Sequence, residues 1–272
     1  MMCPESGLKD HFNMDLKIKN KLALVTGASR GLGEAIAESL AKEGVNVIWA
    51  ARDLTQIKEN ARRCESLYKN KNYTFQADLK NAQGAEKLAT SIKERNLRPN
   101  IIVNNVGGNL SVNDPLSAVS DWKKVFDFNL FNAIELNNQF INQLIEDKWG
   151  RICHVSSIAS LENQGAPQYC ASKAALNAYV RSVGRYVSEH NVIMTGILPG
   201  AVFTEGGYWD ETSKSRPEHV EKYLNERMAI KRFGTREEVS ELVAFLVSDK
   251  ASFCVGTSML VDGGQGRVFY EG

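Results

Sequence analysis

Cysteine is scarce and scattered in this chain. Cys3, Cys64, Cys153, Cys170 and Cys254 are odd in number and include no Cys-x-x-Cys pair. Disulfide frameworks and thiolate metal sites need paired or regularly spaced cysteines, so these five read as the reduced thiols of a cytoplasmic protein. Histidine is scarcer still. His11, His154, His190 and His219 have no spacing such as His-Glu-x-x-His, which would set two imidazoles on one helical face, and no metal site is expected. An excess of charge of one sign is also missing: 33 Lys+Arg against 32 Asp+Glu leave a net +1, with no basic run. Neither nucleic acid nor an anionic membrane is an expected partner. The apolar runs are too short to span a bilayer, and no apolar stretch of signal-peptide length follows the N-terminal charges. There is no linker rich in Pro or Ser, no low-complexity tract and no repeat at a fixed period, which leaves one folding unit.

What the chain does have is material for a large core, with 43% hydrophobic residues in 272. Short apolar runs bounded by turn residues read as buried parallel strands at 22–25, 45–50, 73–77, 101–103, 150–155, 192–198 and 258–261. Between them lie helical patterns at 34–43, 54–69, 84–95, 119–148 (interrupted near Asn129), 169–189 and 235–248. Strand and helix alternate throughout, so the expected fold is α/β: one parallel sheet of about seven strands with right-handed crossovers. Asn132, Asn137, Asn138 and Gln139 make the 119–148 region more polar than an ordinary core helix. Residues 1–20 read as an N-terminal extension, 21–266 as the domain and 267–272 as a C-terminal tail. Segment 203–228 is polar, charged and too long for an ordinary connection, and such segments are often lids.

Two stretches carry chemistry. The first is Thr26-Gly27-Ala28-Ser29-Arg30-Gly31-Leu32-Gly33, between the first strand and the first helix. Glycines there permit a tight turn and close approach of a pyrophosphate, and the new helix N-terminus offers N–H donors and a positive dipole end. At the end of the second strand, a carboxylate would accept the ribose hydroxyl of NAD, whereas an arginine suits the 2′-phosphate of NADP. Ala51 stands where that acid is expected, Arg52 follows, and Arg30 is a second guanidinium for the phosphate. This favours NADP(H), with Asp53 as the competing acid if the register is off by two. The second stretch is Tyr169-Cys170-Ala171-Ser172-Lys173. Spacing i, i+4 puts the phenol and the ammonium on one helical face. A nearby cation favours the phenolate, so Lys173 is expected to pull Tyr169 down from its free pKa of about 10 into the range of a general acid/base.

Together with Asp78, Asn104-Asn105-Val106-Gly107, Asn129, Ser157, Pro199-Gly200 and Asp262-Gly263-Gly264, these stretches resemble the short-chain dehydrogenase/reductase family over about residues 20–265. The resemblance implies a single-domain, Rossmann-type, doubly wound parallel sheet. It implies that Tyr169 is the general acid/base, that Lys173 lowers the phenol's pKa and holds the nicotinamide ribose, and that Asn129 helps hold a water of the proton relay. A serine hydroxyl at the end of the fifth strand would bond the substrate carbonyl. Counting back from Tyr169 by the family's usual separation reaches Ser156; aligning on the strand reaches Ser157. The side chains of the two face opposite sides of the strand. Loops absorb deletions more easily than buried strands do, so Ser157 is preferred, in a shortened loop where Ser160 replaces a common glycine. For the cofactor, the resemblance implies that Gly27, Ser29, Arg30, Gly31 and Leu32 cradle the phosphates and adenosine ribose, with Asp78 and Leu79 at the adenine. Asn105 and Gly107 would meet the neighbouring ribose, Val202 the carboxamide, and Thr204 the amide or diphosphate.

The activity so implied is NADP(H)-dependent interconversion of a ketone and a secondary alcohol, by a homotetramer or homodimer acting on a small-molecule carbonyl or alcohol. The pattern is most similar to 3-oxoacyl-carrier-protein reductases and related sugar or polyol dehydrogenases. A catalytically idle, cofactor-binding regulator on the same fold is the third reading.

Overall fold

The computed structural model describes residues 14–81 and 83–268. Residues 1–13 of the expected extension and 269–272 of the expected tail lie outside the described residues. The elements run in the order β1 (Leu22–Thr26), α1 (Gly31–Lys42), β2 (Asn46–Ala51), α2 (Leu54–Tyr68), β3 (Asn72–Gln76), α3 (Gly84–Glu94), β4 (Ile101–Asn104), α4 (Val119–Phe126), α5 (Asn132–Glu146) and β5 (Gly150–Val155). Then follow α6 (Pro167–Val187), β6 (Val192–Pro199), α7 (Tyr208–Ser215), α8 (Pro217–Arg227), α9 (Arg236–Leu246) and β7 (Ser258–Val261). All strands pair in parallel in one seven-stranded sheet of order β3-β2-β1-β4-β5-β6-β7.

Helices cover both faces, which is why the central strands are continuous apolar runs rather than alternating ones. Ala23, Val25, Val47 and Trp49 pack with α1 and α9 residues such as Ile36, Leu40 and Val243 on one face. On the other face, Leu24, Ile48, Ile102 and Ile152 meet Leu88, Leu136, Phe140 and Val180. The helix boundaries have local causes. The Asp53 carboxylate accepts the Gln56 N–H at 3.0 Å and caps α2. Thr235 and Glu238 form a capping box at the start of α9. Pro167 and Pro217 open α6 and α8, where a missing N–H costs nothing.

The fold differs from the sequence expectation at the end of the extension. Residues 16–20, read as part of the extension, pack onto the domain: Ile18 is buried, Leu16 O accepts from Asp249 N at 3.2 Å, and Asn20 N donates to Gly44 O at 2.9 Å. Segment 203–228 is largely helical, forming α7 and α8. The interruption foreseen near Asn129 is a wide π-helical turn over Asp127–Phe131 that joins α4 to α5 without ending the helical path. Such turns often occur at functional sites, because the extra residue redirects one side chain. No helix among the described residues is long and apolar enough to cross a membrane.

Candidate active site

The strand order reverses between β1 and β4, and in open α/β sheets ligands bind outside the C-terminal strand ends at such a switch point. A cleft of about 1060 Å³ opens there. Its floor is the glycine turn after β1. Gly27 and Gly31 have φ of +66° and +62°, a region costly for any residue with a Cβ. Arg30 stands at the N-cap of α1 and no side chain caps the helix, which leaves its first-turn amides to a ligand. The turn is braced from behind by Asn105, whose Nδ2 donates to Thr26 O at 2.9 Å and whose N–H donates to Thr26 Oγ1 at 3.0 Å.

Of the cofactor residues expected from sequence, Gly27, Ser29, Arg30, Gly31, Arg52, Asp78, Leu79, Asn105, Gly107 and Thr204 line this cleft. Two do not. Leu32 and Val202 pack against the core, so their side chains face inward, and Val202 forms a backbone bridge with Gly234. At the β2 end, the strand runs through Ala51, and Arg52 is the first residue beyond it. Asp53, the competing acid, is engaged as the cap of α2. Among the described residues, neither Arg30 nor Arg52 pairs with a carboxylate, whereas Arg63 and Arg236 are both held by Glu34 at 3.0 Å. Glu34, Arg63 and Arg236 also line the cleft and had no signal in the sequence. They come from α1, α2 and α9, and nothing local connects residues 202 positions apart.

The second cluster lies beside Gly107. A Cβ built there would stand 2.7 Å from Asn129 Oδ1 and 2.9 Å from Lys173 Nζ, so only glycine fits between them. The π turn aims Asn129 inward, where its Oδ1 accepts from Gly108 N at 2.9 Å and its Nδ2 donates to Gly108 O and Val125 O, both at 2.8 Å. Asn129 thus clamps the chain after β4 against the helix. Tyr169 and Lys173 share one face of α6, as their spacing predicts. Lys173 is buried and its Nζ donates to Val155 O at 2.8 Å, 5.8 Å from the Tyr169 ring centroid.

The electrostatics differ from expectation. Burial pushes Tyr169 above its usual phenol range, and the neighbouring Ser157 hydroxyl draws it part of the way back. The ammonium that was expected to lower it faces the end of β5 instead. Burial also brings Lys173 down to about 8. An ammonium buried this way penalises the folded state below that pH, and the penalty eases as pH rises toward the unfolded lysine value. His154, in the strand beneath, is pushed down to about 3 by burial and then by the Lys173 charge, so its ring is neutral at physiological pH.

Strand alternation separates the two serines. Ser156 is buried and its Oγ donates to Lys173 O at 3.4 Å, on the helix side. Ser157 lies beside Tyr169; its Oγ also accepts from Ala159 N at 3.1 Å. Ser160, at the position that is often glycine in the family, fastens the loop: its hydroxyl donates to Ser157 O at 2.6 Å and accepts from Asn177 at 2.7 Å. The polar residues of α5 also find partners. Asn132 donates to Leu79 O, and buried Asn137 joins Asn104, His154 and Tyr179 through contacts of 2.9, 3.1 and 3.1 Å.

A glycine cradle at the switch point of a parallel sheet, with Lys173 against Gly107 of its lining, is the arrangement of a dinucleotide-binding site. The short chain dehydrogenase family pattern matches residues 21–212, and this chain belongs to that family. One relative, the 3-oxoacyl-[acyl-carrier-protein] reductase FabG of Aquifex aeolicus, is 31% identical over 252 residues, spanning 92% of this chain and 99% of the relative. Among solved structures, L-sorbose reductase from Gluconobacter frateurii, complexed with NADPH and L-sorbose, superposes with a TM-score of 0.88 at 27% identity, covering 94% of this chain and 100% of that one. A 3-oxoacyl (acyl-carrier-protein) reductase from Agrobacterium tumefaciens C58 with NADP bound gives 0.85 at 25% identity, over 94% and 99%.

Proposed function

We propose that this chain interconverts a ketone and a secondary alcohol by NADP(H)-dependent hydride transfer, with Tyr169 as the general acid/base. The observation that carries this reading is that Lys173 meets Gly107 of the glycine-floored cleft while Tyr169, on the same helical face, has Ser157 beside it. The cleft fits a dinucleotide phosphate: α1 is uncapped, Gly27 and Gly31 leave room for a pyrophosphate, and Arg30 and Arg52 offer unpaired guanidiniums at the β2 end. When bound, the nicotinamide supplies or accepts the hydride.

The protein's own groups do the rest. The Ser157 hydroxyl donates to the substrate oxygen and orients it. Tyr169 delivers its phenolic proton to that oxygen as charge builds there. The Lys173 ammonium holds ribose hydroxyls and, 5.8 Å from the Tyr169 ring, keeps the cofactor beside the phenol. Asn129 fixes Gly108 from both sides, keeping the loop rigid, and helps hold a relay water.

Ser157→Ala is expected to lower kcat by about 10²-fold, the usual cost of one donor to a developing oxyanion, while Ser156→Ala costs less than about threefold. Steady-state kinetics of the two variants check this, and the reverse ranking would move the role to Ser156.

The test of the function is a titration and a screen. NADPH is expected to bind at least about tenfold more tightly than NADH, because two arginines meet the 2′-phosphate and Asp53, the acid beyond β2, is engaged as the cap of α2. Fluorescence titration of both cofactors measures this, and a preference for NADH would remove the roles of Arg30 and Arg52. NADPH consumption is then followed with acetoacetyl thioesters, ketoses and steroid ketones; turnover with none of them would overturn the reading. Two substrate classes stand side by side: 3-oxoacyl thioesters, supported by the relative from Aquifex aeolicus, and sugars or polyols, supported by the likeness to L-sorbose reductase.

A further inference from the structure

Tied to the loop that rests on the Tyr169 ring is a side chain that neither cofactor binding nor proton transfer uses. Gln265 follows β7 by way of Gly263 and Gly264, whose φ of +61° and +71° turn the chain back under the sheet end. It is 3% exposed, and all its amide valences are directed at three separate elements. Its Oε1 accepts from Ala201 N, in the turn after β6, at 2.7 Å. Its Nε2 donates to Gln164 Oε1 at 2.7 Å and to the hydroxyl of Tyr223. Gln164 lies in the loop that leads from β5 to Tyr169, and Tyr223 lies in α8. One carbonyl and one NH₂ group meet one N–H donor and two oxygens, a set that only a carboxamide satisfies at this length.

The neighbouring residues tighten the same bridge. Glu162 accepts from Gln164 Nε2, from Arg267 N and, at 2.9 Å, from Val268 N. Arg267 Nη2 donates to Glu226 O in α8 at 2.7 Å. On the α8 side, Tyr223 packs on Trp209 at 4.3 Å between ring centroids, and Trp209 on Phe233 at 4.8 Å. On the loop side, a Cβ on Gly165 would lie 3.3 Å from Tyr169 Cδ1, so this loop rests directly on the catalytic ring. The active-site loop and α8 are therefore tied together by residues 262–268.

We propose that Gln265 is a specificity-determining residue: by bridging the active-site loop and α8 it closes one end of the substrate cleft and restricts this enzyme to compact carbonyl compounds. On this proposal, a carbonyl carbon that reaches Tyr169 lies against the loop that rests on its ring, and the bridge holds that loop to α8. A short ketone or ketose fits without disturbing the bridge, whereas a long acyl chain running past the loop has to break two buried hydrogen bonds of Gln265. The substrate half of this proposal rests on the reductase reading above; the bridge itself does not.

Two variants separate the halves. Gln265→Glu keeps the shape and the acceptor for Ala201 but removes both donors. Tyr223→Phe removes only the α8 hydroxyl from a ring that stays packed, and it keeps the test open should Gln265→Glu not fold. Hydrogen exchange is followed at residues 158–166 and 217–227, and kcat/KM is measured for a ketose, an acetoacetyl thioester and a 3-oxododecanoyl thioester of N-acetylcysteamine. Faster exchange in both segments is expected, along with a rise of about tenfold in the long-to-short kcat/KM ratio, mainly through the KM of the long substrate. Unchanged exchange in both variants overturns the bridge. Faster exchange with an unchanged ratio, or a wild type that already prefers the long thioester, overturns the specificity role. A wild type that reduces no carbonyl, with exchange faster in the variants, supports the bridge and sinks the reductase reading instead.

Discussion

Tyr169→Phe is expected to lower turnover by roughly 10³-fold, about 4 kcal/mol of transition-state stabilisation, and to leave NADPH affinity within about threefold of wild type. The reasoning is specific to this site. Among the described residues the phenol is the group proposed as proton donor beside Ser157, because Lys173 is engaged with Val155 O and His154 is buried, neutral and held by Asn137. Removing the hydroxyl removes the proton source and leaves the ring, so the packing of Gly165 against it persists. The cofactor cleft is lined by other residues, and Tyr169 is not among them. Stopped-flow reduction kinetics with a parallel NADPH titration separate the two effects. Turnover equal to wild type would sink the mechanism, and a parallel loss of NADPH affinity would recast Tyr169 as a cofactor ligand.

Gly33→Ala should destabilise the folded protein by about 2–3 kcal/mol, despite the better helix propensity of alanine. A Cβ at this position would lie 2.3 Å from Gly27 O and 2.5 Å from Asn105 Nδ2. Both are fixed, the first by the backbone of the turn and the second by its bond to Thr26 O. Neither can give way without opening the cradle. At about 2–4 °C per kcal/mol for a domain of this size, thermal unfolding should shift down by roughly 5–10 °C, with NADPH affinity falling too. Gly31→Ala is the control. Its neighbour Thr204 stands 3.6 Å away, so the cost there is only that of the left-handed backbone, about 1–2 kcal/mol. Equal melting temperatures for Gly33→Ala and wild type would show that the turn is softer than its contacts imply.

The strands were legible because a sheet covered on both faces writes its strands as apolar runs, and Leu22-Ala23-Leu24-Val25 and Ile101-Ile102-Val103 are such runs. The interruption at Asn129 was legible as well, since a polar residue in an apolar face marks a place where the helix does something other than pack. Its form, a π turn that clamps Gly108, was not. Asn132 and Asn137 stood out as too polar for a core helix, but their partners Leu79 and His154 lie in other elements. Residues 16–20 were placed in the extension because a single buried Ile18 makes no periodic pattern.

The sequence alone determined the class of fold, the glycine turn that opens α1, and the presence of Tyr169 and Lys173 on one helical face. Each of these is local, set by periodicity or by a backbone angle that only glycine takes easily. Only the tertiary structure decided which way groups face and what they meet. It turned the Lys173 ammonium to Val155 O so that burial, not the cation, governs the phenol. It set Ser157 rather than Ser156 beside Tyr169, and it brought Gln164, Tyr223 and Gln265 together across 101 and 42 residues of chain. Contacts across such separations depend on how the chain crosses the sheet, and no short pattern of residues encodes that path.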